Sequence, residues 1–280
     1  EAYHKMGRVK IELNDLEGAL QDFMSATEIN PGFAQAYFDQ AYIHFDSANY
    51  QQAQEKLTQA IDNGFSEAKV YYLRGVAHFE LGNHEQAIED FTFCLDKDSA
   101  FALAYSDRGS AKKKMGQQQE AMADYKKAIS IDKNLAIAYN NLASIYKSRG
   151  DLDKALETYS LAIGLKKDYY IALNNRGEVK LQQTNYENAI LDFEKALEIK
   201  PDYALAYNNL GVAKTKQNDY NGAIEAFNKA IEMNPGSGEP YLNKGIVLEK
   251  KADFEGACKE WRKALDRDMN EAENFLENCD

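Results

Sequence analysis

The sequence predicts an all-α solenoid: eight helix–turn–helix repeats of 34 residues, followed by a C-terminal capping helix. Three observations lead there. The same residue types recur every 34 positions, without one insertion, across 280 residues. Ala, Leu, Glu, Lys and Gln fill the stretches between turns and runs of β-branched residues are missing, a composition that favours helix. Proline is confined to four positions, and of these Pro201 and Pro235 are 34 apart while Pro31 lies five such steps before Pro201.

The frame is set by alanine. It recurs at Ala19, Ala53, Ala87, Ala121, Ala155, Ala189, Ala223 and Ala257. Four residues on stand Phe23, Leu57, Phe91, Tyr125, Tyr159, Phe193, Phe227 and Trp261, and three further on Ala26, Ala60, Cys94, Ala128, Ala162, Ala196, Ala230 and Ala264. The spacing i, i+4, i+7 places these on one face of a helix. Upstream, Tyr3, Tyr37, Tyr71, Tyr105, Tyr139, Leu173, Tyr207 and Tyr241 precede by four a small residue: Gly7, Ala41, Gly75, Gly109, Ala143, Gly177, Gly211 or Gly245. That pair shares one face of a first helix. Small residues let two backbones approach while the large side chain fills the space between them. Between the helices sit Asn14-Asp15, Ala48-Asn49, Gly82-Asn83, Gly116-Gln117, Gly150-Asp151, Thr184-Asn185, Asn218-Asp219 and Ala252-Asp253. Gly or Asn there ends the first helix in the left-handed conformation, and Asp or Asn caps the second. The repeats expected are 1–33, 34–67, 68–101, 102–135, 136–169, 170–203, 204–237 and 238–271, with a capping helix over 272–280.

The pattern of aromatic, small residue, Ala, aromatic, Ala and Pro resembles the tetratricopeptide repeat family over the whole chain. The departures lie at the proline place, where Phe65, Ser99, Lys133, Lys167 and Met269 stand instead. The resemblance implies a right-handed superhelix whose first helices line a concave wall, with eight repeats making about one turn. Pentatricopeptide RNA-binders run at a longer period and are usually basic. This chain has a net charge of −12, which argues against nucleic acid as partner. No apolar run approaches the roughly 18–20 residues of a membrane span. The chain begins at Glu1, inside a repeat and without methionine, as expected of a segment of a longer protein.

Numbered from the start of each repeat, positions 2, 5, 6, 9, 12 and 13 of the first helix face away from the packing stripe. Repeats two and three are aromatic there, with Phe38, Tyr42, Phe45, Tyr72 and Phe79 beside Val76. Two readings stand: an exposed patch that takes partner side chains, or rings buried against neighbouring helices by superhelical curvature. Repeats five to eight carry Asn141, Asn175, Asn209 and Asn243 at position 6, three of them preceded by Asn140, Asn174 and Asn208. The run resembles the asparagine ladder of the O-GlcNAc transferase repeats, which implies amides holding a peptide backbone. The alternative is local bonding to the adjacent helix. Lys113, Lys114 and Lys147 either hold an acidic ligand or pair with nearby carboxylates. The clamp by which some family members hold the C-terminal carboxylate of Hsp70 or Hsp90 needs lysine at position 5, where this chain has none.

No phosphate-binding glycine loop, HExxH or paired CxxC occurs. No enzyme activity, cofactor or metal is expected, and His44 and His78, which share position 11, read as half-buried packing residues. Cys94 replaces a core alanine and should be an inert thiol. Cys258 and Cys279 fall on the last second helix and the cap that packs against it. They form either a disulfide, which implies an extracytoplasmic, oxidising compartment, or two free thiols in a cytoplasmic protein. The function expected is a non-catalytic scaffold that holds an extended peptide or partner segment in the concave groove. A substrate-selecting arm of a larger enzyme and a self-assembling scaffold are the alternatives.

Overall fold

The computed structural model describes residues 1–277 and Cys279. Every regular element among them is helical. The first helices of the repeats are α1 (Ala2–Glu12), α3 (Ala34–Asp46), α5 (Ala68–Glu80), α7 (Ala102–Lys114), α9 (Ala136–Ser148), α11 (Tyr170–Gln182), α13 (Ala204–Lys216) and α15 (Glu239–Lys250). The second helices are α2 (Leu16–Ile29), α4 (Tyr50–Asp62), α6 (His84–Lys97), α8 (Gln118–Ile131), α10 (Leu152–Leu165), α12 (Tyr186–Ile199), α14 (Tyr220–Met233) and α16 (Phe254–Leu265). A 3-10 turn over Asn270–Ala272 and the one-turn α17 (Glu273–Leu276) follow. The expected cap over 272–280 therefore contains a single helical turn, and its residues Asn278 and Asp280 lie outside the described residues. The chain falls into two compact units, Glu1–Ala138 and Tyr139–Asp280, divided within α9.

The turn between the two helices of a repeat has one conformation throughout. Asn14, Ala48, Gly82, Gly116, Gly150, Thr184, Asn218 and Ala252 all take positive φ, between 54° and 80°. Glycine and asparagine do so at little cost, but Ala48, Thr184 and Ala252 do it because the register leaves that residue no other place. The next residue is the N-cap of the second helix: the side chains of Asp15, Asn49, Asp219 and Asp253 accept from the backbone N–H three residues on, whereas Asn83, Gln117, Asp151 and Asn185 stand at the cap without that bond.

The stripe of alanines and large residues forms the core. Each alanine of the frame is fully buried, and the large residue four later is buried with it. Roughly 1.5–3 kcal/mol accrues per large side chain. The small residue of the first helix is there for clearance. A Cβ added to Gly7, Gly177 or Gly211 would come within 2.6 Å of the ring of Phe23, Phe193 or Phe227, respectively. Where the second helix carries the smaller Leu57, the first carries Ala41, and the two share one cluster.

A second set of partners, unforeseen from the core pattern, joins position 7 to position 23 of the same repeat. Arg74, Arg108 and Arg176 each make two hydrogen bonds, of 2.7–3.0 Å, to buried Asp90, Asp124 and Asp192. Each guanidinium also reaches a hydroxyl on the preceding second helix, that of Thr58, Thr92 or Ser160. Lys244 and Glu260 make the pair in repeat eight. Repeat seven has Leu210 and Ala226 in these places, and an open depression of about 470 Å³ lies there. Bidentate geometry offsets the desolvation of both charges.

Candidate functional site

The first-helix face is organised by contacts that run from position 5 of one repeat to position 6 of the next, 35 residues on. In the N-terminal unit His4 Nε2 and Asp39 Oδ2 are 2.6 Å apart, and the Tyr72 hydroxyl donates to Asp107 at 2.8 Å. Between them the contact is apolar, with Phe38 and Leu73 in one buried cluster. In the C-terminal unit Asn175 donates to Asn140 at 3.1 Å, Asn209 to Asn174 at 3.0 Å and Asn243 to Asn208 at 3.1 Å. One contact thus recurs with three chemistries. A sequence read only at period 34 does not show it. Pairing residues 35 apart, as His with Asp, Phe with Leu, Tyr with Asp and Asn with Asn, would have exposed it.

Two depressions lie on this face in the N-terminal unit. The first, about 340 Å³, is lined by Arg8, Ile11, Glu12, Gln35, Phe38, Asp39, Tyr42 and Lys69. Tyr42 is 48% exposed, and the Lys69 ammonium sits 5.3 Å from its ring centre. Phe38 does not project as an exposed ring: it is 8% exposed and stacks on Phe65 with centroids 4.6 Å apart. The next first helix covers it through Leu73, so its edge forms wall rather than anchor. Phe45 is half-buried, edge-on to Tyr50 at 5.5 Å.

The second depression, about 230 Å³, is lined by Val76, Phe79, Glu80, Phe91, Asp107, Ser110 and Ile137. All but Phe91 occupy positions 2, 6, 9, 12 or 13. Tyr72 borders it half-buried, tilted over Phe101 at 4.8 Å. Burial pushes the Asp107 carboxyl up to about 6; the Tyr72 hydrogen bond opposes this and the Glu80 charge adds to it. Burial first, then Asp107, raises the Tyr72 hydroxyl in turn.

In the C-terminal unit the position-5 asparagines are interior: Asn140, Asn174 and Asn208 are buried, and the position-6 asparagines are half-buried above them. Asn174 donates to Glu178 at 2.8 Å, Glu178 also accepts from Asn209 at 3.0 Å, and Lys147 completes the group at 2.5 Å. Asn141 accepts from Asn140 at 3.1 Å. Asn175 and Asn243 therefore each make one N–H bond to the adjacent first helix, and Asn209 makes two. Among the described residues nothing donates to the carboxamide oxygens of Asn175, Asn209 and Asn243.

Cys258 and Cys279 are bonded, with Cα atoms 5.7 Å apart, and Phe275 lies over Trp261 at 5.1 Å. The last repeat's apolar edge is covered by Ala272, Phe275 and Leu276. Cys94 is buried, which pushes its thiol up to about 12. His78 faces Asp90 at 3.8 Å, and burial lowers both His78 and His44 below the ordinary imidazole range. Among the described residues no three His, Cys, Asp or Glu side chains gather as a metal site, and no helix is long and apolar enough to cross a membrane.

Profiles described as tetratricopeptide repeat match residues 1–33, 38–92, 136–169 and 204–237, and a TPR repeat profile matches 109–148 and 179–217. Together they cover well over half of the sequence. The chain belongs to the tetratricopeptide repeat family. Solved structures agree on the fold. A chain of the APC/C hetero-tetramer Cut9–Hcn1 matches with TM-score 0.74 and 20% identity, over 92% of this chain and 51% of that one. This chain thus spans about half the length of that relative. A tetratricopeptide repeat protein from Parabacteroides merdae gives 0.69 and 19%, over 91% and 97%. YrrB, described as a TPR protein with an unusual peptide-binding site, gives 0.53 and 20%, over 64% and 93%. No curated protein matches significantly by sequence. Tetratricopeptide repeats are protein-interaction scaffolds, generally without catalysis.

Proposed function

We propose that this chain holds an extended segment of a partner protein along the first-helix face and carries out no chemistry on it. The observation that supports this most is how polar capacity is used there. Asn175 and Asn243 are each oriented by one hydrogen bond to the preceding repeat and Asn209 by two, which leaves a carboxamide oxygen on all three, and a second N–H on Asn175 and Asn243, for a strand of backbone. In the N-terminal unit Tyr42 and Phe79 line depressions of side-chain size. Held amides for backbone and pockets for side chains are the two parts that extended-peptide recognition needs. YrrB, a protein of this fold, is described as having an unusual peptide-binding site.

The test uses immobilised chain and a pool of random-sequence peptides, with retention compared among wild type, Tyr42→Ala/Phe79→Ala and Asn175→Ala/Asn243→Ala. Tyr42 and Phe79 are used rather than Phe38, whose removal would open the core. Each double variant should lower retention about tenfold, roughly 1.4 kcal/mol. Unchanged retention in both would remove the face from consideration.

A further inference from the structure

The two depressions of the N-terminal unit are the same place two repeats apart. Glu12 corresponds to Glu80, Asp39 to Asp107, Ile11 to Phe79 and Phe23 to Phe91. Both keep the carboxylate pair, but the chain answers those carboxylates in only one of them. At the first, His4 lies 2.6 Å from Asp39, Gln35 donates to Asp39 at 3.2 Å, and Arg8 and Lys69 complete the lining. At the second, each basic side chain is replaced: His4 by Tyr72, Arg8 by Val76 and Lys69 by Ile137. Asp107 receives the neutral Tyr72 hydroxyl, and among the described residues no cation pairs with it.

We infer that the depression lined by Val76, Phe79, Glu80, Asp107 and Ile137 is a receptor for one lysine or arginine side chain of the bound polypeptide. This rests on the peptide-binding reading of the same face. The alkyl stem of such a side chain lies against Phe79, Val76 and Ile137, and its charge meets Asp107 at the base and Glu80 at the rim. The choice of cation follows from charge complementarity. The site is apolar on its walls and negative at its floor, and burial holds Asp107 at about 6, a cost that an arriving cation relieves. The first depression shows the arrangement filled from within: Lys69 lies over Tyr42, at 5.3 Å, where the guest would lie two repeats on. An acidic or purely apolar side chain would leave the floor carboxylate desolvated and unanswered.

The experiment uses pools of random peptides whose central residue is fixed as lysine, arginine, norleucine or glutamate, captured on the immobilised chain near neutral pH and counted by mass spectrometry. Lysine and arginine pools should be retained about tenfold over norleucine, with glutamate lowest. Asp107→Asn, nearly isosteric and able to accept the Tyr72 hydrogen bond, should bring the lysine and norleucine pools to within about twofold of each other. Val76→Arg copies Arg8 of the first depression and should abolish the preference by filling the site internally. Circular dichroism and melting confirm that each variant is folded. Equal retention of all four pools, or a lysine preference that survives both substitutions, overturns the receptor. Retention of the pools without charge preference sinks the receptor alone, whereas retention of no pool by wild type sinks the peptide-binding reading with it.

Discussion

The two units solve one structural problem with different chemistry. Each must tie position 5 of one first helix to position 6 of the next. The N-terminal unit does so with carboxylates, Asp39 under His4 and Asp107 under Tyr72; the C-terminal unit does so with amide pairs, Asn140–Asn175, Asn174–Asn209 and Asn208–Asn243. An amide satisfies the tie and remains neutral. A carboxylate satisfies it and leaves a charge to be answered by the chain, as at Asp39, or by something else. The tie belongs to the fold, and what remains on the side chain after the tie is made is what each unit offers a partner.

Breaking the tie tests that division most severely in the C-terminal unit. Asn174 is fully buried, donates to Glu178 and accepts from Asn209. Asn174→Leu leaves both groups without it, and a loss of about 3 kcal/mol is expected in urea unfolding. Asn174→Leu/Asn209→Leu copies the apolar contact that Phe38 and Leu73 make in the N-terminal unit. Replacing both partners removes the amide left over at position 209, while Glu178 keeps its bond to Lys147, so part of the loss should return. If single and double variants unfold alike, the tie is not modular and the comparison between the units fails.

Much of this was legible in the residues. The period, the buried alanines and the glycines beneath the rings are steric necessities, so they are spelled the same way in repeat after repeat. The turns were legible by place rather than by type: Ala48, Thr184 and Ala252 adopt the left-handed conformation that glycine or asparagine signals elsewhere. The face was only half readable. Phe38 and Tyr42 share one helix and one stripe, yet Leu73 of the next repeat covers the first and leaves the second open. Helical spacing within a repeat carries no information about which neighbour lies on top. The asparagine ladder was visible as composition, while its hydrogen bonding was hidden in the offset between 34 and 35.

The carboxylate half of the comparison is sharpened by pH. The Asp107 carboxyl stands at about 6 in the folded chain against an ordinary 3.8. Between these values the folded protein holds a proton that the unfolded chain has released, so stability falls as pH rises through that window and the loss is complete above about 6. Tyr72, Glu80 and Tyr125 are the titratable groups that interact with it, and none supplies positive charge. Asp107→Asn should therefore raise stability at neutral pH by up to about 3 kcal/mol and flatten the pH slope between about 4 and 6. Asp39→Asn should instead lower stability at neutral pH, because His4 and Gln35 already answer that carboxylate. Gains of equal size in both variants would erase the distinction between the answered and the unanswered site.

The smallest test compares two buried tyrosines of the core, one in each unit. The Tyr125 hydroxyl is 3.2 Å from the Ser110 hydroxyl, which lines the second depression. The Tyr159 hydroxyl is buried with no hydrogen-bond partner among the described residues. Tyr125→Phe removes a made bond and should cost about 1 kcal/mol. Tyr159→Phe removes a desolvated hydroxyl that gains nothing in return, and should leave stability unchanged or raise it by up to about 1 kcal/mol. The sign of the difference matters more than its size. In repeat four the hydroxyl ties the core ring to a residue of the depression, so Tyr125→Phe should also loosen Ser110, seen as faster hydrogen exchange in α7 around positions 106–110. No equivalent change is expected in α9 for Tyr159→Phe. Opposite signs with exchange confined to α7 would show that the core beneath the carboxylate site is wired to it. Two equal losses would mean that Tyr125 and Tyr159 are interchangeable core rings.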